Sequence, residues 1–341
     1  MAETVISVIV PAYNAEETLG ACLEALESQT VCREVYEIVV VDDGSTDGTQ
    51  AVAEDYYVVL CQQTHAGPAA GRNRGAREAR GDLLLFTDAD CAPVADWIER
   101  LAGAFVDPKV VGAKGTYRTH QKGLVARFVQ LEYEERYARM LELEEIDFVD
   151  TYSAAYRRGV FLENGGFDVR FPTASVEDQE FSFRLALQGY RLVFVPEAVV
   201  NHTHDRTVGE YWRRKFNIGF WKALLLRWHP GRALRDSHTP QVLKVQMLLM
   251  ALLCAALFIA PFWRVTLLGG AAILAALLIS SLPLVGRALR RDLLAAVVVP
   301  AFVLVRALAL GLGLVVGFIR FNRGLDEPRS HGGRGQIGPR P

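Results

Sequence analysis

The C-terminal part of the chain is almost continuously apolar from residue 243 to residue 319, and its few charges are mainly arginines. Nearly all the acidic residues come before about residue 210. A transmembrane helix needs about 20 consecutive apolar residues, and the ranges 243–262 and 265–285 are each close to this length. The sequence therefore predicts a water-soluble domain followed by a membrane region over 243–320 with two or three hydrophobic helices.

A third apolar stretch, 293–319, contains Pro300, Arg306 and several glycines. Basic residues before the first span and after the second place both of these flanks in the cytosol. The tail after residue 319 is also rich in arginine, which conflicts with a simple third crossing. The third stretch therefore either spans against the charge rule or folds back as a re-entrant or interfacial element. At mid-depth Arg306 requires a carboxylate, a phosphate or water as its partner, and the tail over 321–341 is predicted to be disordered.

Residues 208–242, which precede the first span, contain the segment GEYWRRKFNIGFWKALLLRWHP, where basic and aromatic residues are interleaved. This composition is typical of a helix that lies in the membrane interface, although a packed helix with a solvated cationic face has the same pattern. Trp212, Arg213, Arg214 and Lys215 are candidates for guiding an anionic lipid-linked acceptor. The sequence leaves open whether they do so or only anchor the helix.

The cysteines and the N-terminal residues indicate the cellular compartment of the first domain. Five scattered cysteines without a CxxC pair suggest neither a disulfide framework nor a thiolate zinc site, which favours a reducing cytosol. The first apolar run is too short for a signal peptide, has no basic residues before it and ends at Pro11. We therefore expect a multi-pass protein of the cell membrane with a cytoplasmic first domain, membrane lipids as neighbours and no nucleic-acid partner.

Apolar runs of strand length alternate with helical patterns along the first domain. The runs VISVIV, YEIVVV and DLLLF fit parallel strands that are covered on both faces. Helical periodicity lies between them, over 15–29, 47–55 and 66–79. A strand over 109–117 and a long helix over 123–145 follow. The alternation predicts a doubly wound α/β sheet.

Polar motifs stand where these strands end. PAYN follows the first strand, DDGSTD the second and DAD a later one. Open α/β sheets bind ligands at the carboxyl ends of their strands, so we expect the three motifs to meet at one crevice. The acids Asp88 and Asp90 suit a hard divalent cation that shares its oxygen ligands with a nucleotide diphosphate. A solvated turn would also contain such a pair, so its meaning depends on the other motifs.

Five segments in order carry a resemblance to a known family: SVIVPAYNAEETLGACLEALESQT, EIVVVDDGSTDGT, GPAAGRNRGAREARGDLLLFTDAD, GGFD and VEDQEFSFRLALQGYRLVFVP. With them, the first domain closely resembles the inverting family 2 glycosyltransferases of GT-A fold. The resemblance implies a GT-A catalytic domain over 1–207, with a doubly wound, mixed and mainly parallel sheet. It also implies an enzyme that transfers a sugar from a UDP- or GDP-sugar donor.

The same resemblance implies which residues bind the donor nucleotide. Pro11, Tyr13 and Asp43 would line the pocket of the nucleotide base. Arg72 would reach the nucleobase or the diphosphate. Asp88 would bond the ribose or assist the metal.

The resemblance also implies the metal ligands and the catalytic acids. Asp90 would be the principal ligand of Mg²⁺ or Mn²⁺, with either His202 or His204 near the metal. Asp178 would be the general base, and Glu177 would help to position the acceptor or the base. If the acceptor is an anionic phosphate rather than a hydroxyl, Asp178 would instead orient it or balance its charge.

Differences from the sequences of related enzyme classes narrow the range of expected activities. Processive polysaccharide synthases carry a Q-x-x-R-W signature that the segment YWRRKFNIGFW lacks, which favours transfer of one or a few sugars to a lipid-linked, polysaccharide or other membrane-proximal acceptor. The alternatives are a processive synthase and a non-catalytic membrane subunit that binds sugar nucleotides. A sugar-phosphate nucleotidyltransferase is disfavoured because PAYNAEE has no Gly-rich basic loop.

Two further patterns predict ordinary structural roles. The acidic run over 132–135 is interpreted as a solvated helix face. Gly311, Gly313 and Gly317 would allow helices to approach closely in the membrane region.

Overall fold

The computed structural model describes residues 5–233 and 239–321. The tail predicted over 321–341 lies outside the described residues except for Phe321, which is the last residue of a helix. Residues 234–238 of the predicted interfacial region also lie outside them.

The described residues form strands and helices that we number in chain order. The strands are β1 Ile6–Ala12, β2 Tyr36–Asp42, β3 Val59–Gln62, β4 Leu83–Phe86, β5 Cys91–Pro93, β6 Val110–Arg118, β7 Ala154–Arg157 and β8 Arg191–His202. The helices are α1 Leu19–Glu27, α2 Thr49–Glu54, α3 Pro68–Glu78, α4 Trp97–Gly103, α5 Leu124–Met140, α6 Arg158–Glu163, α7 Glu177–Leu187, α8 Val208–Trp228, α9 Gln241–Ile259, α10 Thr266–Ser280, α11 Leu282–Leu289 and α12 Leu293–Phe321.

The strands form one mixed, mostly parallel sheet in the order β3-β2-β1-β4-β7-β6-β8-β5. The pairs β2/β3, β1/β2, β1/β4 and β6/β8 are parallel. The short strands β5 and β7 pair antiparallel with their neighbours. This topology confirms the fold class that the sequence predicts.

Helices cover both faces of the sheet, which explains the continuous apolar strands. Val8 and Val10 share one cluster with Leu23 of α1, whereas Ile9 between them shares another with Ala76 of α3. Successive strand side chains point to opposite faces, so every position of such a strand must be apolar. The parallel strands β1, β2 and β4 consequently end at the same edge, and the three polar motifs follow there.

The GRNRG segment contains a glycine that the packing of α3 requires. A Cβ atom at Gly75 would lie 2.5 Å from Cγ2 of Ile9 and 3.2 Å from Cγ2 of Val41. Only the absence of a side chain allows α3 to pack this closely on β1 and β2. The close packing fixes the position of Arg72 one turn earlier on the same helix.

The long helix predicted over 123–145 ends earlier, at Met140. Its predicted end is wrong because the chain turns to join the sheet: the amide of Ile146 donates a hydrogen bond to the carbonyl of Leu192 at 2.9 Å. The strand predicted over 109–117 is confirmed as β6.

Three C-terminal helices of the described chain are long and apolar enough to cross a membrane: α9, α10 together with α11, and α12. α12 also packs along α8, and a Cβ atom at Gly313 would lie 2.1 Å from the carbonyl oxygen of Phe216. A Cβ atom at Gly317 would likewise lie 2.3 Å from the carbonyl oxygen of Phe220. The close approach expected at Gly313 and Gly317 is confirmed, whereas Gly311 faces open space.

The interpretation of the acidic run over 132–135 as a solvated face is wrong for Glu132, which is buried on α5. Its Oε2 lies 2.9 Å from Nζ of Lys215 on α8, and its Oε1 accepts a hydrogen bond from Nη1 of Arg306 on α12 at 2.9 Å. Tyr211 donates a third hydrogen bond to Oε1. The carboxylate partner that Arg306 requires is therefore Glu132.

Replacing Glu132 by Gln is expected to destabilise the protein by about 3–5 kcal/mol, since it leaves Lys215 and Arg306 buried without a counter-charge. Thermal unfolding of the purified protein in detergent measures the loss. Glu134→Gln is the matched control, because Glu134 pairs with the exposed Arg291 and such a pair contributes about 0–1 kcal/mol. Equal midpoints for the two variants would contradict the importance of this buried cluster.

Candidate active site

A cavity of about 240 Å³ opens at the carboxyl edge of the sheet. Arg72, Asp88, Glu177 and Asp178 line it. These four residues come from α3, the end of β4 and the start of α7, so the fold brings together side chains that the sequence separates widely. The cavity is therefore the centre of the candidate active site.

Arg72 holds two of these acids together. It is only 3% exposed; its Nη2 donates to Oδ1 of Asp88 at 2.6 Å and its Nη1 to Oε1 of Glu177 at 3.1 Å. Charge-assisted hydrogen bonds of this kind are stronger than neutral ones. Arg72 thus ties the strand-end acid of the D-x-D pair to the first residue of α7.

Glu177 has a structural role as well as its contact with Arg72. Its second carboxylate oxygen, Oε2, accepts a hydrogen bond from the amide of Ser175 at 2.8 Å. This bond fixes the loop that leads into α7. Glu177 therefore orients the start of the helix, where Asp178 follows.

Asp178 is half-buried in the first turn of α7 and accepts a hydrogen bond from the amide of Gln179 at 2.7 Å. Burial, and next the negative charge of Glu177, raise its pKa to about 7, although Arg72 and Lys114 act in the opposite direction. A carboxylate whose pKa lies near neutrality is suited to accept a proton. This electrostatic environment fits a general base.

Two further groups beside Asp178 were not found from the sequence. Among the described residues, Oγ of Ser175 and Nε2 of Gln179 are buried without a hydrogen-bond partner, and both residues line the cavity. Buried polar atoms are nearly always satisfied by protein, water or a ligand. Ser and Gln in a loop and a helix start have no distinctive spacing, so only the packing shows that they line the site.

Asp90 and His202 form a second group at the same edge. Nε2 of His202 lies 3.1 Å from Oδ2 of Asp90, because β5 pairs with β8 in a register that sets Cys91 opposite His202. The carboxylate of Asp90 is 43% exposed. Burial raises its pKa, but the hydrogen bond and charge of His202 outweigh burial and hold the pKa below its usual range.

The side chains grouped around Asp90 include two suitable ligands for a hard divalent cation and one poor ligand. One potential ligand atom each from Asp90, Cys91 and His202 lies within 4.8 Å of the others. A carboxylate oxygen and an imidazole nitrogen suit Mg²⁺ or Mn²⁺. Burial raises the pKa of the Cys91 thiol well above its usual range, so Cys91 stays protonated and is a poor ligand. Asp90 and His202 are the two residues that could hold the ion.

His204, the other histidine left open by the sequence, lies deeper. It is buried, and its Nε2 is 3.1 Å from Oε1 of Gln130. Burial, and next the charge of His202, lower its pKa to about 3. His204 therefore stays neutral. Its Nδ1 lies 3.3 Å from Nδ1 of His202, so it supports the ring of His202.

The residues expected at the nucleotide base lie where β1 and β2 end. The ring of Tyr13 is exposed and stacks on His65 at 4.0 Å between centroids. Asp43 is buried and accepts hydrogen bonds from the amides of Ala66 and Gly67. Pro11 is half-buried in β1. His65 was not singled out from the sequence, since its loop has no motif.

Of the residues expected to guide an acceptor, Arg214 lines the cavity and pairs with Asp205 at 2.7 Å. Lys215 lines it too. Trp212 is half-buried and Arg213 is exposed on α8. Of the four predicted positions, Arg214 and Lys215 therefore face the cavity, whereas Trp212 and Arg213 do not line it.

The family described as "Glycosyl transferase family 2" matches residues 7–165, which contain β2 to β7, all of β1 except Ile6, and both acids of the D-x-D pair. Residues 7–165 therefore form a family 2 glycosyltransferase domain. The predicted family and the predicted enzyme class, a glycosyltransferase, are both confirmed.

Individual relatives of this glycosyltransferase agree. Glycosyltransferase AglE of Haloferax volcanii is 29% identical over 228 residues, which cover 63% of this chain and 71% of the relative. The pre-mycofactocin glycosyltransferase of Mycobacterium tuberculosis is 28% identical over 237 residues, which cover 67% of this chain and 48% of the relative. The chain thus spans most of the first relative but about half of the second.

A solved structure shares the fold. The mannosyltransferase PcManGT from Pyrobaculum calidifontis, in complex with GDP-Man and Mn²⁺, has a TM-score of 0.58 at 21% sequence identity. The match covers 94% of this chain and 88% of that one. The similarity supports the fold of the glycosyltransferase over nearly its whole length.

The raised pKa of Asp178 predicts how stability depends on pH. A carboxyl whose pKa is higher in the folded state than in the unfolded state makes the protein less stable as pH rises from about 4 to about 7. Asp178→Asn removes this cost, so its melting temperature relative to wild type should rise across that window and level off above pH 7. Melting curves at several pH values measure the difference. Asp55→Asn, at an exposed position, should show no such trend.

Proposed function

We propose that this family 2 glycosyltransferase is a membrane-bound, metal-dependent, inverting and non-processive enzyme. It transfers a sugar from a UDP- or GDP-sugar to a lipid-linked or membrane-proximal acceptor. The observation that carries the proposal is that one cavity connects the strand-end Asp88 and the base candidate Asp178 to the basic helix α8. The donor and the acceptor can therefore meet beside Asp178.

The proposed donor site uses the residues at the carboxyl edge of the sheet. The exposed ring of Tyr13 and the carboxylate of Asp43 line the base pocket, while Asp88 bonds the ribose. Arg72 contributes positive charge close to the diphosphate. Since Arg72 is already held by Asp88 and Glu177, its position is fixed before the donor binds.

Asp90 and His202 are the proposed ligands of a divalent cation, Mg²⁺ or Mn²⁺. A cation held there would neutralise the negative charge that develops on the departing diphosphate. The PcManGT complex contains Mn²⁺, which supports the use of a divalent metal in this fold.

In the proposed reaction, the bond between the anomeric carbon and the diphosphate oxygen breaks, and its electron pair leaves with the nucleoside diphosphate. An acceptor oxygen attacks the opposite face of the sugar, so the configuration inverts. When that oxygen belongs to a hydroxyl, the carboxylate of Asp178 takes its proton. Ser175 and Gln179 supply hydrogen bonds to the bound substrates.

The test of this function is a panel of UDP- and GDP-sugars with Mn²⁺, measured by thermal shift on the full chain in detergent. The matching donor at about 100 times its dissociation constant should stabilise the fold by about 2.7 kcal/mol. Asp178→Asn should keep this shift and lower sugar transfer by about 10²–10⁴-fold, while Asp90→Asn should weaken the metal-dependent part of the shift. Asp55→Asn is the control. No shift with any donor would refute the proposed function.

The proposed location is the cell membrane, with the catalytic domain in the cytoplasm. α9 leaves the catalytic side and α10 with α11 returns to it, because Asp292, next to α12, pairs with Arg127 of α5. α12 starts at this point and ends where Nη1 of Arg227 on α8 donates to the carbonyl of Phe321 at 2.6 Å. Phe321 also packs in a cluster with Phe171 of the catalytic domain.

Both ends of α12 thus contact the catalytic domain or α8, which favours an interfacial helix over a third crossing. A reporter fused after the last residue should then be cytosolic: alkaline phosphatase should be inactive and green fluorescent protein fluorescent. A reporter inserted at Arg264, between α9 and α10, should behave in the opposite way. Active alkaline phosphatase at the C-terminus would show that α12 crosses the membrane.

A further inference from the structure

His202 has two ring nitrogens, and only one of them faces Asp90. Its Nε2 lies 3.1 Å from Oδ2 of Asp90, whereas its Nδ1 lies 3.3 Å from Nδ1 of His204. A ring nitrogen binds a metal ion through its lone pair, so the nitrogen toward Asp90 must be free of hydrogen when it holds an ion. The hydrogen bond made by the other ring nitrogen decides whether it is.

Gln130, half-buried on α5, determines where the hydrogens of these rings lie. Its amide nitrogen Nε2 donates to the carbonyl oxygen of Tyr117 at 3.3 Å and to Oε1 of Glu134 at 3.5 Å. A carbonyl and a carboxylate only accept, so the amide nitrogen must face them and the amide oxygen must face away. Oε1 of Gln130 lies 3.1 Å from Nε2 of His204 and therefore accepts a hydrogen bond from that ring.

The hydrogen of His204 is thus on Nε2, and a neutral imidazole carries only one. Its Nδ1 keeps a lone pair and accepts the hydrogen on Nδ1 of His202, 3.3 Å away. A metal ion on Nε2 of His202 requires the same arrangement, because the hydrogen of that ring is then on Nδ1. Both ends of the series Gln130, His204 and His202 therefore demand one assignment.

Packing and backbone contacts hold the two rings in this geometry. The ring of Tyr117 stacks on His202 at 4.6 Å between centroids, and the ring of Tyr133 stacks on His204 at 5.6 Å. The side chain of Gln121 accepts a hydrogen bond from the amide of His204 at 2.6 Å and donates one to its carbonyl at 3.1 Å. His204 is only 3% exposed, so water has little access to its ring.

We propose that Gln130 and His204 are positioning residues for the divalent cation, since they hold His202 with its hydrogen on Nδ1 and its Nε2 lone pair toward Asp90. We call Gln130, His204 and His202 the histidine network. The inference rests on the proposed function and specifies how its metal site is prepared. Without an ion, Nε2 of His202 can carry a hydrogen that bonds Asp90, and it gives up this hydrogen when it binds the ion. Nδ1 keeps its hydrogen in both states.

The first test measures the affinity of the full chain in detergent for Mn²⁺ by isothermal titration calorimetry, with and without a nucleoside diphosphate. His204→Phe keeps a ring beside Tyr133 but cannot accept the hydrogen of His202, so the affinity should fall by about 10-fold to 100-fold. His204→Asn places an amide oxygen near the position of Nδ1 and should recover most of the affinity. Gln130→Met removes the other acceptor and should lower the affinity in the same direction.

His229→Phe is the matched control, because His229 is a half-buried histidine that packs against Phe183 of α7. It should bind Mn²⁺ like wild type. Thermal unfolding of the same samples shows which variants are folded. A folded His204→Phe variant with wild-type affinity would overturn the proposal. If His204→Phe does not fold, wild-type affinity of Gln130→Met has the same consequence.

A second measurement locates the hydrogens directly. NMR spectra of the full chain with isotope-labelled histidine, recorded with Mg²⁺, should show the hydrogen of His202 on Nδ1 and that of His204 on Nε2. In Gln130→Met the hydrogen of His204 should be shared between its two nitrogens, because the acceptor that fixes it is gone. A hydrogen on Nε2 of His202 in saturating Mg²⁺ would contradict the positioning role.

Sugar transfer from UDP- and GDP-sugars is measured with the same samples. If the network variants lose Mn²⁺ affinity as expected but wild type uses no donor, the proposed function fails and the histidine network stands. If wild type uses a donor with Mn²⁺ but the network variants bind Mn²⁺ normally, the network is refuted and the function stands. A wild-type protein that binds no Mn²⁺, with or without nucleotide, would refute both the metal site and its positioning residues.

Discussion

The buried ion pairs of Arg72 are the interaction on which the active site depends. Arg72 is fixed by the close approach of α3 to the sheet at Gly75, and its guanidinium reaches both Asp88 at the end of β4 and Glu177 at the start of α7. Breaking a buried pair is costly because it leaves an uncompensated charge. The two ion pairs of Arg72 therefore keep α7 at the sheet edge, and this places Asp178 in the crevice.

A second buried cluster of charged residues joins the apolar helices to α5, as Arg72 joins α7 to the sheet edge. Glu132 of the catalytic domain holds Lys215 on α8 and Arg306 on α12, and Nη2 of Arg306 donates to Oε1 of Gln246 on α9 at 2.8 Å. Three helices are thus tied to α5 through one carboxylate. Burial raises the pKa of Glu132, but Lys215 and Arg306 outweigh burial and hold it well below its usual range, so the carboxylate stays charged.

The two clusters border one cavity, and this explains how the sheet domain and the apolar helices can work as a unit. Arg72, Lys215 and Arg306 all line it. A shift of α8 would change both the shape of the cavity and the contacts of Glu132. The apolar helices are therefore part of the same packed structure as Asp88, Glu177 and Asp178.

The sequence predicted the elements whose signals are local. Strand runs, helical periodicity and the polar residues at strand ends follow from a few neighbouring positions, and so the sheet, the crevice motifs and the three apolar helices were anticipated. The end of α5 was placed too late, because the isolated pairing of Ile146 with Leu192 competes with helix propensity. Glu132 was interpreted as solvated because it belongs to a run of acidic residues, and nothing in that run distinguishes the position that faces α8.

By itself the sequence determined the family, the α/β architecture and the apolar C-terminal region, because motif order, periodicity and composition are encoded along the chain. Only the tertiary structure decided that His202 rather than His204 meets Asp90, that Arg72 joins a glutamate 105 residues away, and that Arg306 meets Glu132 across 174 residues. Those contacts depend on which helix faces pack together, and a single sequence carries no local signal for that.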